Sequence, residues 1–151
     1  EYNDYGFSYV QVPCGKCANC LRRRQRDWSV RLFVENWFSA SSYFVTLTYN
    51  DEHLPPDGVQ KKHCQDFFKR LRKIFPFRYF LVSEYGDKFH RPHYHVLIST
   101  QNEIRTVDFW RYVADKWPFG NVKIGTVTIK SINYCAKYCL KPKYPETKGQ
   151  N

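Results

Sequence analysis

SEYGDKFHRPHYH, residues 83–95, is the stretch on which the reading of this chain turns. His93 and His95 are two apart and run into Val96, Leu97 and Ile98, with Tyr94 between them. That pattern predicts a strand, in which residues two apart share a face. Both imidazoles then point the same way. Glu84 closes a second apolar run, Tyr79-Phe80-Leu81-Val82, and the turn signals Gly86-Asp87 and Arg91-Pro92 separate the two runs. A hairpin folded here brings Glu84 beside the histidines. Two imidazoles and one carboxylate can hold a divalent ion and leave its other positions open to water or substrate. The plainer alternative is a strand with two exposed histidines.

Working outward, Ser131 to Lys141, SINYCAKYCLK, predicts a short helix capped by Ser131. Ile132, Cys135, Ala136, Cys139 and Leu140 form an apolar stripe, so the two thiols are expected to pack rather than ligate. Tyr134, Lys137, Tyr138 and Lys141 line the opposite stripe. A phenol is a poor nucleophile at neutral pH because its pKa lies near 10. A cation that polarises a phosphate, and lysines that stabilise developing negative charge, offset that weakness. The pattern therefore suits covalent attack on a phosphodiester, with a second tyrosine one turn away for the return step.

The remaining chain supplies a setting. With 151 residues and 19% aromatics, it suits one domain with an aromatic-rich core. Its formal net charge of +10 favours a polyanion, and no long apolar run marks a membrane span. No export signal opens the chain. It contains no Met, which is expected of an excised domain. Six unevenly spaced cysteines without an export signal predict a reducing compartment. Residues 1–13 suggest an extended arm or edge strand. Cys14, Cys17 and Cys20 have the spacing of a structural Zn²⁺ or iron-sulfur site, with His63 or Cys64 as a distant fourth ligand; a cysteine-rich helix start is the alternative.

Leu21 to Phe38 reads as a helix, with Val30, Phe33, Val34, Trp37 and Phe38 expected inward. Arg22, Arg23, Arg24 and Arg26 offer guanidinium groups to phosphate, or simply a solvated face. A strand is expected at 43–49, with Thr46 and Thr48 on one face as candidate DNA contacts. Helices are expected at 61–74 and 105–117. Residues 121–130, interrupted at Gly125, suggest a bent or bulged strand pair. The division expected is an N-terminal Cys/Arg-rich extension over about 1–40 and a core over about 41–145 within one 1–151 domain. The 141–151 tail is expected to fray.

Phe44-Val45-Thr46-Leu47-Thr48-Tyr49, Glu84 with His93-Tyr94-His95, and Tyr134-Cys135-Ala136-Lys137-Tyr138-Cys139-Leu140-Lys141 resemble, in order, three motifs of the HUH endonucleases that start rolling-circle replication. The resemblance is greatest to the initiators of small single-stranded DNA phages of the microvirus (gokushovirus) type, whose opening Pro13-Cys14-Gly15-Lys16-Cys17 is also similar. It implies an α+β fold: a central five-stranded antiparallel sheet with helices packed on it, related to the RNA-recognition and ferredoxin-like folds. It implies Mn²⁺ or Mg²⁺ on Glu84, His93 and His95, and nicking of single-stranded origin DNA by Tyr134 or Tyr138 through a 5′-phosphotyrosine. Tyr134-Lys137 and Tyr138-Lys141 both fit the family's tyrosine-lysine spacing. A host polymerase would extend the freed 3′ end. No GxxxxGK[ST] segment is present, so unwinding would fall to a host helicase or to sequence outside this chain. The implied location is the cytoplasm of a host bacterium. A non-catalytic zinc-stabilised nucleic-acid-binding module and an HUH transposase or relaxase are the competing readings.

Overall fold

The computed structural model describes residues 12–140; the expected arm at 1–11, the tail and Lys141 lie outside them. Strands β1 (Ser41–Thr48), β2 (Arg78–Tyr85), β3 (Pro92–Thr100) and β4 (Val122–Thr126) form an antiparallel sheet in the order β2-β3-β1-β4. Helices α1 (Ala18–Phe38), α2 (Lys61–Leu71), α3 (Thr106–Lys116) and α4 (Ile129–Ala136) accompany it, and α4 runs into a 3₁₀ turn, Lys137–Leu140. From β1 to β4 the order is strand-helix-strand-strand-helix-strand, with β3 inserted between β1 and β2. This is the split βαβ arrangement of ferredoxin-like folds. The expected α+β sheet is present, but with four strands among the described residues rather than five.

The missing strand has a physical cause. Residues 121–130 do not form a strand pair: β4 ends at Thr126, and Thr128 already caps α4. Thr128 and Ser131 form a reciprocal capping box, the Ser131 amide donating to Thr128 Oγ1 at 3.2 Å and the Thr128 amide donating to Ser131 Oγ at 2.8 Å. Ser131 is thus the third helical residue, not the cap expected from the sequence.

Strand alternation sorts side chains between two layers. Tyr43, Val45 and Leu47 of β1 and Tyr94, Val96 and Ile98 of β3 face α2 and α3, joined by Phe67, Phe68, Leu71, Phe109, Val113 and Trp117. Phe44 of β1, Val82 of β2 and Leu97 of β3 face the other way, toward α1 and α4, with Leu32, Ile132 and Cys135. Cys64, Phe67, Phe68 and Leu71 point inward from α2 as their spacing predicts; Ile74, beyond the helix end, is exposed.

α1 departs from expectation. Val30, Phe33, Val34, Trp37 and Phe38 face solvent, Trp37 at 71% and Phe38 at 73% exposure, and no residue of the helix is buried. The stripe turned toward the sheet is mixed: Leu21, Arg24, Trp28, Leu32 and Glu35 are part-buried, and Trp28 packs on Phe80 with ring centroids 4.9 Å apart. No helix among the described residues is long and apolar enough to cross a membrane.

The end of β1 is pinned by the chain entering β4. Asn50 donates to the Phe119 carbonyl at 2.9 Å, Thr48 to that of Asn121 at 3.0 Å, and the Trp117 indole to the Thr48 carbonyl at 3.0 Å. Gly120 lies so close that a Cβ would overlap the Thr48 carbonyl and come within 2.6 Å of the Asn50 nitrogen. Gly125, by contrast, would meet Phe44 only at ordinary contact distance. Gly120→Ala is expected to cost about 2 kcal/mol by overpacking, with Gly125→Ala near neutral. Urea midpoints measure both, and equal shifts would refute this account of the β1 terminus.

Candidate active site

β2 and β3 pair with Glu84 directly opposite His93 and Val82 opposite His95, so Glu84 and both histidines lie on the face toward α4. The hairpin that sets this register closes with the Gly86 amide donating to the Arg91 carbonyl at 3.0 Å, and His90 takes the left-handed conformation in its loop. Arg91 ties the hairpin to the end of β1 by donating to the Tyr49 carbonyl at 3.0 Å and by an ion pair with Asp51 at 2.5 Å.

Glu84 Oε2 lies 3.5 Å from His93 Nε2 and 3.2 Å from His95 Nε2. The other ring nitrogens are engaged elsewhere. His93 Nδ1 is 3.3 Å from the Arg91 carbonyl and His95 Nδ1 is 3.1 Å from Thr46 Oγ1. A carbonyl only accepts, so His93 Nδ1 carries the proton and its Nε2 lone pair is left facing the carboxylate. Three ligand atoms, all within 4.8 Å of one another, thus converge on one point. Acceptors aimed together need a cation or a proton between them, and this N₂O donor set fits a divalent ion. Phe44 stacks on the His95 ring at 5.4 Å and Thr46 holds its far side, so the ring is oriented from two directions. Sequence reasoning missed this role of Phe44; its two-residue spacing to Thr46, which puts both on one strand face, is the signal that could have found it.

α4 presents its phenols to the same face. The Tyr134 hydroxyl donates to Glu84 Oε2, and the Tyr138 hydroxyl lies 3.3 Å from that of Tyr134. The Tyr134 ring meets His95 edge-on at 5.2 Å. Lys137 Nζ is 3.9 Å from the Tyr134 ring centroid and 5.3 Å from that of Tyr138. Cys135, fully buried on the other stripe, has its thiol pushed up to about 12 by burial and packs as an inert apolar group.

The electrostatics follow from this crowding. Burial alone would raise the Glu84 carboxyl, but hydrogen bonds from Tyr134 and Tyr138 and the charges of His95 and His93 hold it at about 2. Burial, then the neighbouring His93, lowers His95. Burial and the bond to Glu84 push Tyr134 up, and Tyr138 rises for the same reasons.

Thr48 Oγ1 donates to the Asn121 carbonyl at 3.2 Å, while Arg24 reaches back to the Gly15 carbonyl at 3.2 Å. Arg22, Arg23 and Arg26 line one shallow surface cavity with Asn19. The sulfurs of Cys14, Cys17 and Cys20 lie within 4.8 Å of one another, and hydrogen bonds from Cys17 and Lys16 lower the Cys14 thiol to about 7. The distant ligands expected for them do not join. Cys64 is buried in the core on the opposite sheet face, and His63 stacks on Phe119 at 4.1 Å and bonds to the Tyr49 hydroxyl at 2.9 Å.

A split-βαβ sheet carrying an acid and two histidines on neighbouring strands, faced by a helix with paired tyrosines, narrows the class of protein considerably. Residues 42–143 match the family of the phage replication-associated protein ORF2, and the chain belongs to that family. It is 34% identical over 153 residues to replication-associated protein VP4 of Bdellovibrio phage phiMH2K, covering 85% of this chain and 48% of that protein. To replication-associated protein ORF2 of Spiroplasma virus 4 it is also 34% identical, covering 86% and 48%. To replication-associated protein ORF4 of Chlamydia phage 1 it is 30% identical, covering 86% and 38%. The chain thus spans about half or less of these relatives' length. Among solved structures it is similar to the hypothetical protein ORF119 from Sulfolobus islandicus rod-shaped virus 1, with a TM-score of 0.50 and 22% identity over 80% of this chain and 97% of that one. At that identity the likeness speaks for the fold alone.

Glu84 and His95 both have lowered folded-state pKa values, so acid weakens the cation-free protein. The His95 contribution is present above its ordinary 6.5 and declines as pH falls through and below that value; the Glu84 contribution is present above 4.5 and lost as pH falls toward 2. Unfolding midpoints against pH should therefore show a flatter acid limb between 4.5 and 2 for Glu84→Gln than for the unaltered protein. Parallel limbs would mean that the carboxylate is not held as described.

Proposed function

We propose that this chain is the nicking domain of a rolling-circle replication initiator, a tyrosine-dependent endonuclease and strand transferase acting on single-stranded origin DNA. The observation that carries the reading is the Tyr134 hydroxyl bonded to Glu84, whose carboxylate also faces both Nε2 atoms. The relatives' names point to replication, and the net charge of +10 suits a nucleic-acid substrate.

Glu84, His93 and His95 would hold Mn²⁺ or Mg²⁺, which when bound supplies Lewis-acid polarisation of the phosphate and offsets the Glu84 charge. In the resting site burial and Glu84 keep Tyr134 a neutral phenol. Its oxygen attacks the phosphorus of a backbone phosphodiester. A tyrosine O–P bond forms and the P–O3′ bond breaks. The 3′ oxygen leaves with the bonding electron pair and takes up a proton from solvent, balancing the proton lost by the phenol. The phosphate stays on the 5′ side, joined to tyrosine, and its ester energy is conserved for rejoining. Lys137, close to both rings, stabilises negative charge on either phenol oxygen.

Tyr134 is the first nucleophile on this reading, because it is the phenol bonded to Glu84; Tyr138, one turn further, serves the return reaction. With single-stranded origin DNA and Mn²⁺, the protein should form a covalent adduct that chelation prevents. Tyr134→Phe should abolish the first adduct and Tyr138→Phe should spare it, as read on denaturing gels. Undiminished adduct in Tyr134→Phe would overturn the assignment, and undiminished adduct in the double variant would overturn the tyrosine chemistry itself.

Arg22, Arg23 and Arg26 extend the binding surface along α1. Each guanidinium withdrawn from a phosphate should reduce the slope of log affinity against log salt by about 0.7 for a single strand. Replacing all three with Gln should lower affinity and flatten that slope by about 2; an unchanged slope excludes α1 from the DNA path.

A further inference from the structure

Outside the nicking centre, the densest cluster of metal-ligating side chains is Cys14, Cys17 and Cys20. We infer that these three thiols form a separate structural site for a single zinc-class divalent cation, which fastens the segment before α1 to that helix's first turn.

The spacing of the sulfurs carries this. Two sulfurs bound to one tetrahedral zinc at about 2.3 Å each stand roughly 3.8 Å apart. Cys14 Sγ and Cys20 Sγ are 3.9 Å apart, and all three sulfurs lie within 4.8 Å of one another. A four-iron cluster spreads its thiolates over several iron atoms and needs a wider set. The backbone is shaped for the task. Gly15 takes φ +75°, where a side chain would be strained, and turns the chain so that the Cys17 amide donates to Cys14 Sγ at 3.3 Å. Arg24 closes the same turn on the Gly15 carbonyl. Cys17 is the N-cap of α1 and Cys20 lies in its first turn, so free amides and the helix dipole favour thiolates there.

The helix needs such a fastening. α1 has no buried residue, no side-chain cap and no acidic residue in its first turn. A cation on Cys14, Cys17 and Cys20 would cross-link its start and so fix Arg22, Arg23 and Arg26, which follow within two turns. No fourth protein ligand joins the three among the described residues, so the remaining position is open to water or another small donor.

The test uses the chain under reducing conditions, with His93→Ala and His95→Ala introduced to silence the other site. Cobalt(II) should give thiolate-to-metal charge-transfer bands that saturate at one equivalent and vanish when Cys17→Ser and Cys20→Ser are added. In the protein with all native residues, zinc should slow alkylation of Cys14, Cys17 and Cys20 at least tenfold. Absence of the charge-transfer bands, or equal alkylation with and without zinc, overturns the proposal. The alkylation result does not depend on any variant folding.

Discussion

The arrangement depends on one register. Pairing Glu84 with His93 across β2 and β3 places a carboxylate and two imidazoles on a single face, and a slip of one residue would send all the β3 imidazoles into the core. The hairpin turn and the Arg91 links to Tyr49 and Asp51 hold that register from one end. From the other, Tyr94, Val96 and Ile98 are buried in the opposite layer. The core and the site are thus two readouts of the same alternation: burying one set of residues exposes the other to α4.

That coupling explains what could be read from the chain in advance. HYH and the Glu84 run revealed the site because a strand has a strict period of two, and a local turn joins the two strands. The stripe of Tyr134, Lys137 and Tyr138 was legible from helical spacing. So was the inward face of α2. The split-βαβ order agreed with the resemblance carried by the three motifs.

The misreadings are equally physical. On α1 the more apolar stripe is the one a sequence pattern turns inward, yet Val30, Phe33, Val34, Trp37 and Phe38 face outward while Arg24 and Glu35 sit on the part-buried side with Trp28 and Leu32. A periodic pattern shows that a helix has two faces, but which one meets the sheet is a tertiary decision. The count of strands failed at 121–130 because a capping box at Thr128 and Ser131 converts the second half of an alternating segment into helix. Thr46, expected at the nucleic acid, instead bonds to His95, a partnership set by strand register that no local pattern announces. Gly120's role was equally hidden, since it arises from chain segments far apart in sequence.

Only Val127 and Thr128 separate the end of β4 from the start of α4, and the helix is seated by Ile132, Cys135 and Ala136. So short a joint, locked by its own cap, leaves the tyrosine-bearing segment no arm on which to travel. The paired phenols behave as a fixed anvil. Any exchange of strand ends across them is therefore made by the substrate sliding over a stationary surface, one helical turn from the first ring to the second.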